Sequence, residues 1–550
     1  MLALYMIIYI AAILILILSL IFLRRGIFTR KGPVTIGFFH PYCHAGGGGE
    51  RVLWVAVSSL QRWATQRGVD ISIVIFTGDS DSDQAILRRA VERFGVTFPV
   101  EQRLRFVRIQ TRWMLEARYY PRFTLLGQSI GSIFTGLECI LRAGVHVWVD
   151  TTGAAFTYPV AHYLGGARVV AYVHYPTVST DMLATVSSNV VSFNNSAVIA
   201  SSPLLTRVKV AYYRAFARAY GAAGRCAAPS GVMANSRWTA AHIRELWGGD
   251  VSIVYPPCPT EALASLPMVP RDRAIVSLAQ FRPEKDHAVQ LRAFAELRSR
   301  GRGAYDDVRL EIMGGVRDAG DAERLQALRE MAKALCIPSS RLSFTPNPPF
   351  EYVKLALGRA RVGLHTMPRE HFGIVCVEMQ AAGCVLLAHD SGGPKEDIAV
   401  PAWRPAGVPA FPSRQRSSSS GGGGGGGSSS KKGRGGTTSV LGLEGQRPTG
   451  LLASTVEGYA DALEAVFSGA LDASALAAAG RESAGRFSDS AFTEGFLSVL
   501  GPIVESCCPH SPVTSTAHPT GLGRKATSQK STPRRREASP SSSHKKRINK

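Results

Sequence analysis

Two carboxylates separated by seven residues stand out in the run Glu370-His371-Phe372-Gly373-Ile374-Val375-Cys376-Val377-Glu378. The run follows an apolar stretch ending near Thr366 and opens an expected helix reaching about Ala382, so Glu370 precedes the helix and Glu378 lies within it. Gly373 lets a ligand phosphate approach the backbone N–H groups of Gly373, Ile374 and Val375, where the helix dipole favours negative charge. Glu378 can accept both hydroxyls of a ribose through its two oxygens. Glu370 falls nearer the sugar beyond the phosphates. An exposed helix carrying two acids is the ordinary alternative. The Phe-Gly pair, the strand before it and Gly383 after it weigh against that.

A second loop, Gln280-Phe281-Arg282-Pro283-Glu284-Lys285-Asp286-His287, joins another expected strand to a helix. Arg282 and Lys285 place two cations where a diphosphate leaving group gathers charge as a sugar bond breaks. Alone the loop reads equally as a solvated turn. In the same half of the chain as Glu370 and Glu378 it reads as a phosphate clamp.

A third loop begins at His40 and reaches Arg51 through Gly46, Gly47, Gly48 and Gly49. Four glycines between strand and helix bare the backbone for close contact with a phosphate or sugar. No G-K-[ST] follows, so this is not a Walker loop, and no ribose-binding acid about 20 residues on completes a dinucleotide fingerprint. His174 ends a further strand, where an imidazole reaches the cleft of an open α/β sheet. Asp150 is placed similarly. Asp79-Ser80-Asp81-Ser82-Asp83 has the D-x-D form of a metal motif but reads as a polar loop, because Arg282 and Lys285 make a nucleotide-bound metal unnecessary. No metal and no cofactor is expected. Neither G-x-S-x-G nor H-E-x-x-H occurs.

The elements that must position these groups are short apolar, β-branched runs at 34–39, 71–76, 147–149, 169–173 and 232–234, alternating with amphipathic stretches. A second series follows at 274–279, 308–313, 362–365 and 385–388. Apolar strands separated by helices indicate parallel sheets covered on both faces, hence two doubly wound α/β units. Pro256, Pro257, Pro259, Pro267 and Pro270 mark a hinge at 255–270 that discourages any helix or central strand. The expected domains are 31–262 and 271–500, with the site in the cleft between them.

Residues 1–23 carry no charged side chain and are long enough to cross a bilayer, which takes roughly 20 residues. Nothing basic precedes the run, so it reads as an uncleaved transmembrane anchor. Arg24, Arg25, Arg30 and Lys31 follow, which places the later chain in the cytosol. Nine scattered cysteines without C-x-x-C spacing give neither a disulfide framework nor a zinc site. The serine- and glycine-rich insert at 413–436 and the basic tail at 510–550 read as unfolded segments. They hold much of the net charge of +22, so no nucleic acid is expected as partner. Two stretches, Phe106 to Leu141 and Leu204 to Arg225, mix aromatics and aliphatics with arginines. They read either as basic amphipathic helices at an anionic membrane surface or as ordinary surface helices.

The set HPYCHAGGGGERVLW, AYVHYPTVSTDM, SLAQFRPEKDH and REHFGIVCVEMQAAGC with HDSGGPKEDI resembles the GDP-mannose:dolichol-linked oligosaccharide α-1,2-mannosyltransferases of the endoplasmic reticulum, over about 31–500 without the insert. The resemblance implies the GT-B fold, retention of anomeric configuration, no metal, and addition of the fourth and fifth mannoses to a lipid-linked glycan. It implies that the glycine loop and His174 face the reacting sugar and that Glu370 and Glu378 hold GDP-mannose. Dolichol-linked oligosaccharide, membrane lipids and other glycosyltransferases of the pathway are the implied partners, at the endoplasmic reticulum membrane as a single-pass protein with cytosolic catalytic domains. Two features depart from the pattern. The clamp arginine usual in the wider superfamily five residues before the lysine is here Gln280, leaving Arg282 to serve, and the glycine and serine insert is extra. The competing readings are a related transferase with another sugar nucleotide or lipid acceptor, and a non-catalytic membrane scaffold or RNA-binding protein using the basic tail.

Overall fold

In a computed structural model the structure describes residues 32–43, 46–99, 103–178, 203–405 and 447–508, with residue 19 and the pair 440–441. The expected anchor at 1–23, the insert at 413–436 and the tail at 510–550 lie outside the described residues, residue 19 apart.

The first sheet contains β1 (Val34–Phe39), β2 (Ile71–Thr77), β3 (Leu104–Arg108), β4 (Val147–Asp150), β5 (Arg168–Val173), β6 (Gly231–Ala234) and β7 (Ser252–Ile253). Their spatial order is β3-β2-β1-β4-β5-β6-β7, all parallel. The order reverses at β1, so the crevice opens above the carboxyl ends of β1 and β4, where the His40 and Asp150 loops begin. The second sheet contains β8 (Asp272–Leu278), β9 (Arg309–Gly314), β10 (Leu342–Pro346), β11 (Ala360–His365), β12 (Val385–His389), β13 (Ala402–Trp403), β14 (Val440–Leu441) and β15 (Gly450–Ala453). Their order is β10-β9-β8-β11-β12-β15-β13-β14, with β13 and β14 antiparallel. Here the reversal falls at β8, beside the Arg282 loop.

Both sheets are buried on both faces. Val74, Trp148 and Val169 point into one core of the first sheet and Ile36, Ile73 and Val149 into the other, which is why these strands read as unbroken apolar runs. The second sheet divides the same way, Ile275 and Leu387 facing one core and Val276 and Leu386 the other.

Four local readings change. The helix Asp489–Glu505 leaves the second domain and packs Phe492, Phe496, Leu500 and Val504 onto the first sheet, so a linear boundary at 500 does not describe the fold. The proline-rich hinge holds one short helix, Thr260–Ala264, starting directly after Pro259. Strands β3 and β10 add an edge to each sheet beyond the expected series; they are only partly buried and lack a continuous apolar run. The stretch Phe106 to Leu141 is not one helix. It finishes β3, passes through turns at Thr111–Leu115 and Ala117–Tyr119, and becomes the helix Thr124–Arg142. Among the described residues this helix alone is long and apolar enough to cross a membrane. It buries Ser132, Thr135 and Cys139 against the first domain and exposes Leu126, Ile130, Ile133 and Phe134. All nine cysteines are free.

Candidate active site

The helix Ile374–Ala381 starts from Gly373, whose φ of 100° is open to glycine and strained for other residues. The first amides of the helix, those of Ile374 and Val375, have no partner within it and point out of its positive end. The end of β11 and the turn after it bring His365 and Glu370 to one place. Glu370 Oε2 accepts from Lys285 Nζ at 2.6 Å and lies 3.1 Å from His365 Nε2. Burial alone would raise the Glu370 carboxyl, but the hydrogen bond from His365 and the Lys285 ammonium pull it well below the usual range. Lys285 is steadied in turn by Thr366, whose hydroxyl donates to the Lys285 carbonyl at 2.9 Å. The sequence offered no signal for His365 or Thr366 beyond their place at a strand end.

Glu378 behaves oppositely. Its carboxylate has no hydrogen bond or ion pair to the described residues, and burial lifts its pKa to about 7 against the pull of Arg51. Arg51 is itself engaged, its Nη2 2.8 Å from both oxygens of Asp489 and its Nε 3.1 Å from the Pro257 carbonyl. A buried acid without a partner is open to neutral donors such as sugar hydroxyls.

From the first domain, the glycine loop enters the helix Gly48–Arg67 with Glu50 folding back to accept from the Gly47 N–H at 2.6 Å. This loop meets the second domain. A Cβ on Gly48 would stand 2.8 Å from Ile374 Cδ1, and one on Gly49 4.0 Å from His174 Nε2. His174 Nε2 is buried with no hydrogen-bond partner among the described residues. The ring is hydrogen-bonded to the Thr151 backbone, a bond that must run through Nδ1. A carbonyl accepts, so Nδ1 carries the proton and Nε2 keeps a lone pair beside Gly49. Burial lowers His174 to about 4, with the Thr151 bond opposing and His371 adding to the fall. Behind it, His40 Nδ1 lies 2.7 Å from the Thr151 hydroxyl, and burial and then His174 bring His40 to about 3.

Gly48, Gly49, His174, Gly373, Ile374, Lys285 and Glu370 therefore lie close together where the two domains meet. Two candidates stand apart. The guanidinium of Arg282 lies 3.5 Å from Glu284, whereas the ion pair to Glu370 comes from Lys285. Asp150 is fully buried and spent internally, accepting from Tyr158 at 2.6 Å and twice from Thr152 at 2.8 Å. The D-x-D loop is structural: Asp79 pairs with Arg112 at 2.7 Å, Asp83 with Arg108 at 2.7 Å, and Ser82 caps the helix Asp83–Phe94.

Residues 33–247 match the family model described as ALG11 mannosyltransferase N-terminus, and residues 261–400 the model described as glycosyl transferases group 1. The Xenopus laevis GDP-Man:Man(3)GlcNAc(2)-PP-Dol alpha-1,2-mannosyltransferase is 40% identical over 482 residues, covering 86% of this chain and 88% of the relative. The Homo sapiens protein of the same name is 44% identical over 381 residues, 68% of this chain and 75% of the relative. Among solved structures, sucrose-phosphate synthase from Thermosynechococcus elongatus superposes with a TM-score of 0.54 at 16% identity, over 86% of this chain and 100% of that one. An alpha,alpha-trehalose-phosphate synthase from Burkholderia xenovorans does so with 0.54 at 11%, over 85% and 100%. At such identities the likeness shows the fold alone, which is the GT-B arrangement of two facing Rossmann-like domains.

Proposed function

The chain belongs to the GDP-Man:Man(3)GlcNAc(2)-PP-Dol alpha-1,2-mannosyltransferase family, and on that premise we propose that it moves mannose from GDP-mannose, with retention, onto a dolichol-diphosphate-linked oligosaccharide in N-glycan precursor assembly. The observation that carries this reading is the meeting of Gly48 with Ile374 of the second domain, beside the place where Gly49 comes up to His174 of its own domain.

The diphosphate of the donor rests on the amides of Gly373, Ile374 and Val375 and on Lys285, with Arg282 swinging from Glu284 to join it. Glu378 holds the ribose and Glu370 the mannose hydroxyls. The bond from C1 to the phosphate oxygen breaks as the acceptor 2-hydroxyl adds to C1 on the same face, and its proton passes to the freed phosphate oxygen. Lys285 and the helix amides stabilise the charge that grows on GDP. His174 Nε2 accepts a mannose hydroxyl and forms no covalent bond. Protein cations neutralise the diphosphate, so transfer needs no metal and persists in EDTA. The same site acts twice, adding the fourth and fifth mannoses.

The acceptor arrives on a membrane. Residues 1–23 anchor the chain in the endoplasmic reticulum as a single pass, and Arg24, Arg25, Arg30 and Lys31 hold the catalytic domains in the cytosol. Trp113, Phe123, Leu126, Ile130 and Phe134 form an exposed apolar strip beside exposed Arg118 and Arg122, suited to an anionic headgroup layer. Other glycosyltransferases of the pathway are its expected neighbours there. The test is an assay of the full chain in detergent with GDP-mannose and dolichol-linked Man3GlcNAc2: a product that loses its new mannoses to an α-1,2-mannosidase supports the reading, and transfer only from a UDP-sugar sinks it.

A further inference from the structure

His371 stands between Glu370 and Gly373, yet its ring reaches the other domain. The imidazole lies face to face with Tyr175, centroids 3.8 Å apart and planes within 18°. It is also offset-stacked on Trp238 at 5.6 Å and 15°. Tyr175 directly follows His174, and Trp238 lies in the first turn of the helix Arg237–Trp247. Trp238 is nearly buried, and the edge of its ring meets His242 at 4.3 Å. The start of that helix makes a second contact with the second domain: the Arg237 N–H donates to Asp397 at 3.0 Å, while the other Asp397 oxygen accepts from the Tyr255 hydroxyl at 3.0 Å.

On its own side the turn holding His371 is tied by two backbone bonds. The Arg369 N–H donates to Ser391 Oγ at 2.7 Å and the Gly393 N–H to the Glu370 carbonyl at 2.8 Å. Phe372 faces inward, stacking on Tyr255 and meeting Phe487. His371 is thus the side chain of this four-residue turn that stacks on the residue beside His174 and on the start of the helix Arg237–Trp247. We infer that Tyr175 and Trp238 are positioning residues: through the His371 ring they hold Glu370 and Gly373 in register with His174, so that docking of the first domain and assembly of the reacting groups are one event. This rests on the proposed donor site and deepens it. Donor binding itself uses Gly373 and Glu378 of the second domain, so loss of the stack should weaken catalysis far more than nucleotide affinity. Burial keeps His371 neutral, at about 4, with Glu370 opposing and Lys285 and His242 adding to the fall. A neutral ring is the form that stacks on tyrosine and tryptophan without losing hydration of a charge.

The experiment compares full-length Tyr175→Leu, Trp238→Leu and the conservative Tyr175→Phe and Trp238→Phe chains in detergent. It reads kcat and KM with GDP-mannose and dolichol-linked Man3GlcNAc2, and the Kd of GDP by calorimetry. The leucine chains should lose about tenfold or more in kcat. Their GDP affinity should stay within about twofold of wild type, and the phenylalanine chains should recover most of the rate. Should the leucine chains fail to fold, His371→Ala gives the same reading with the same expectation. Unchanged kcat with GDP binding intact overturns the inference alone. Parallel loss of kcat and GDP affinity also overturns it, since a merely structural stack behaves that way. A wild-type chain that binds no GDP overturns the donor-site reading and the inference with it.

Discussion

Lys285 Nζ lies 2.6 Å from Glu370 Oε2, joining the loop after β8 to the turn after β11, and both side chains are largely buried. Removing one member of such a pair leaves the other as an uncompensated charge in a poorly solvated place. Glu370→Gln and Lys285→Met should each cut kcat by about 10²–10³-fold, the scale for losing one preorganised transition-state contact. Steady-state kinetics on purified chains check this; a loss below about threefold would place the chemistry elsewhere.

Glu378, as the proposed ribose-binding acid, should make donor binding depend on pH in a definite direction. Its carboxyl in the free enzyme titrates near 7 because burial outweighs Arg51. On the proposed donor site two ribose hydroxyls donate to the ionised form, so binding should lower this pKa. Affinity is then complete above about pH 7 and falls as pH drops through it, by up to about tenfold per unit. Calorimetry of GDP across that range should show the slope in wild type and a flat, weaker profile in Glu378→Gln.

His174 should show no titration of its own in the working range. Its pKa of about 4 keeps it neutral, so a kcat profile should carry no inflection near the ordinary imidazole value. His174→Ala should still reduce kcat by about 10²-fold through loss of the Nε2 acceptor. An inflection near 6.5 that disappears in the alanine chain would make it an acid or base instead.

Gly392 tests the scaffold under Glu370. Its φ is 62°, and an added Cβ would fall 2.2 Å from the Glu370 carbonyl oxygen. Gly392→Ala combines a left-handed alanine with a backbone collision, so it should destabilise the protein by at least about 2 kcal/mol and lower activity further than stability alone requires. Thermal unfolding and kcat on the same preparation separate the two effects.

The doubly wound halves were legible because strands buried on both faces leave continuous β-branched runs, and with them the positions of the glycine loop, His174 and the Glu370 to Glu378 segment at the carboxyl ends of such strands. What sequence could not show was partnership. Nothing in the spacing of Arg282 and Lys285 says that one pairs with Glu284 and the other with Glu370. His371 lies inside the most informative motif, but its ring is aimed by contacts with residues about 130 and 200 positions away. The return of the helix Asp489–Glu505 to the first sheet is likewise a long-range packing choice, invisible to local periodicity.

A structure of the full chain with GDP-mannose bound tests the central claim most directly. The diphosphate should lie at hydrogen-bond distance, about 3 Å, from the amides of Ile374 and Val375, with the ribose on Glu378 and the mannose facing His174. Nucleotide bound away from the start of that helix, or mannose turned from His174, would contradict it.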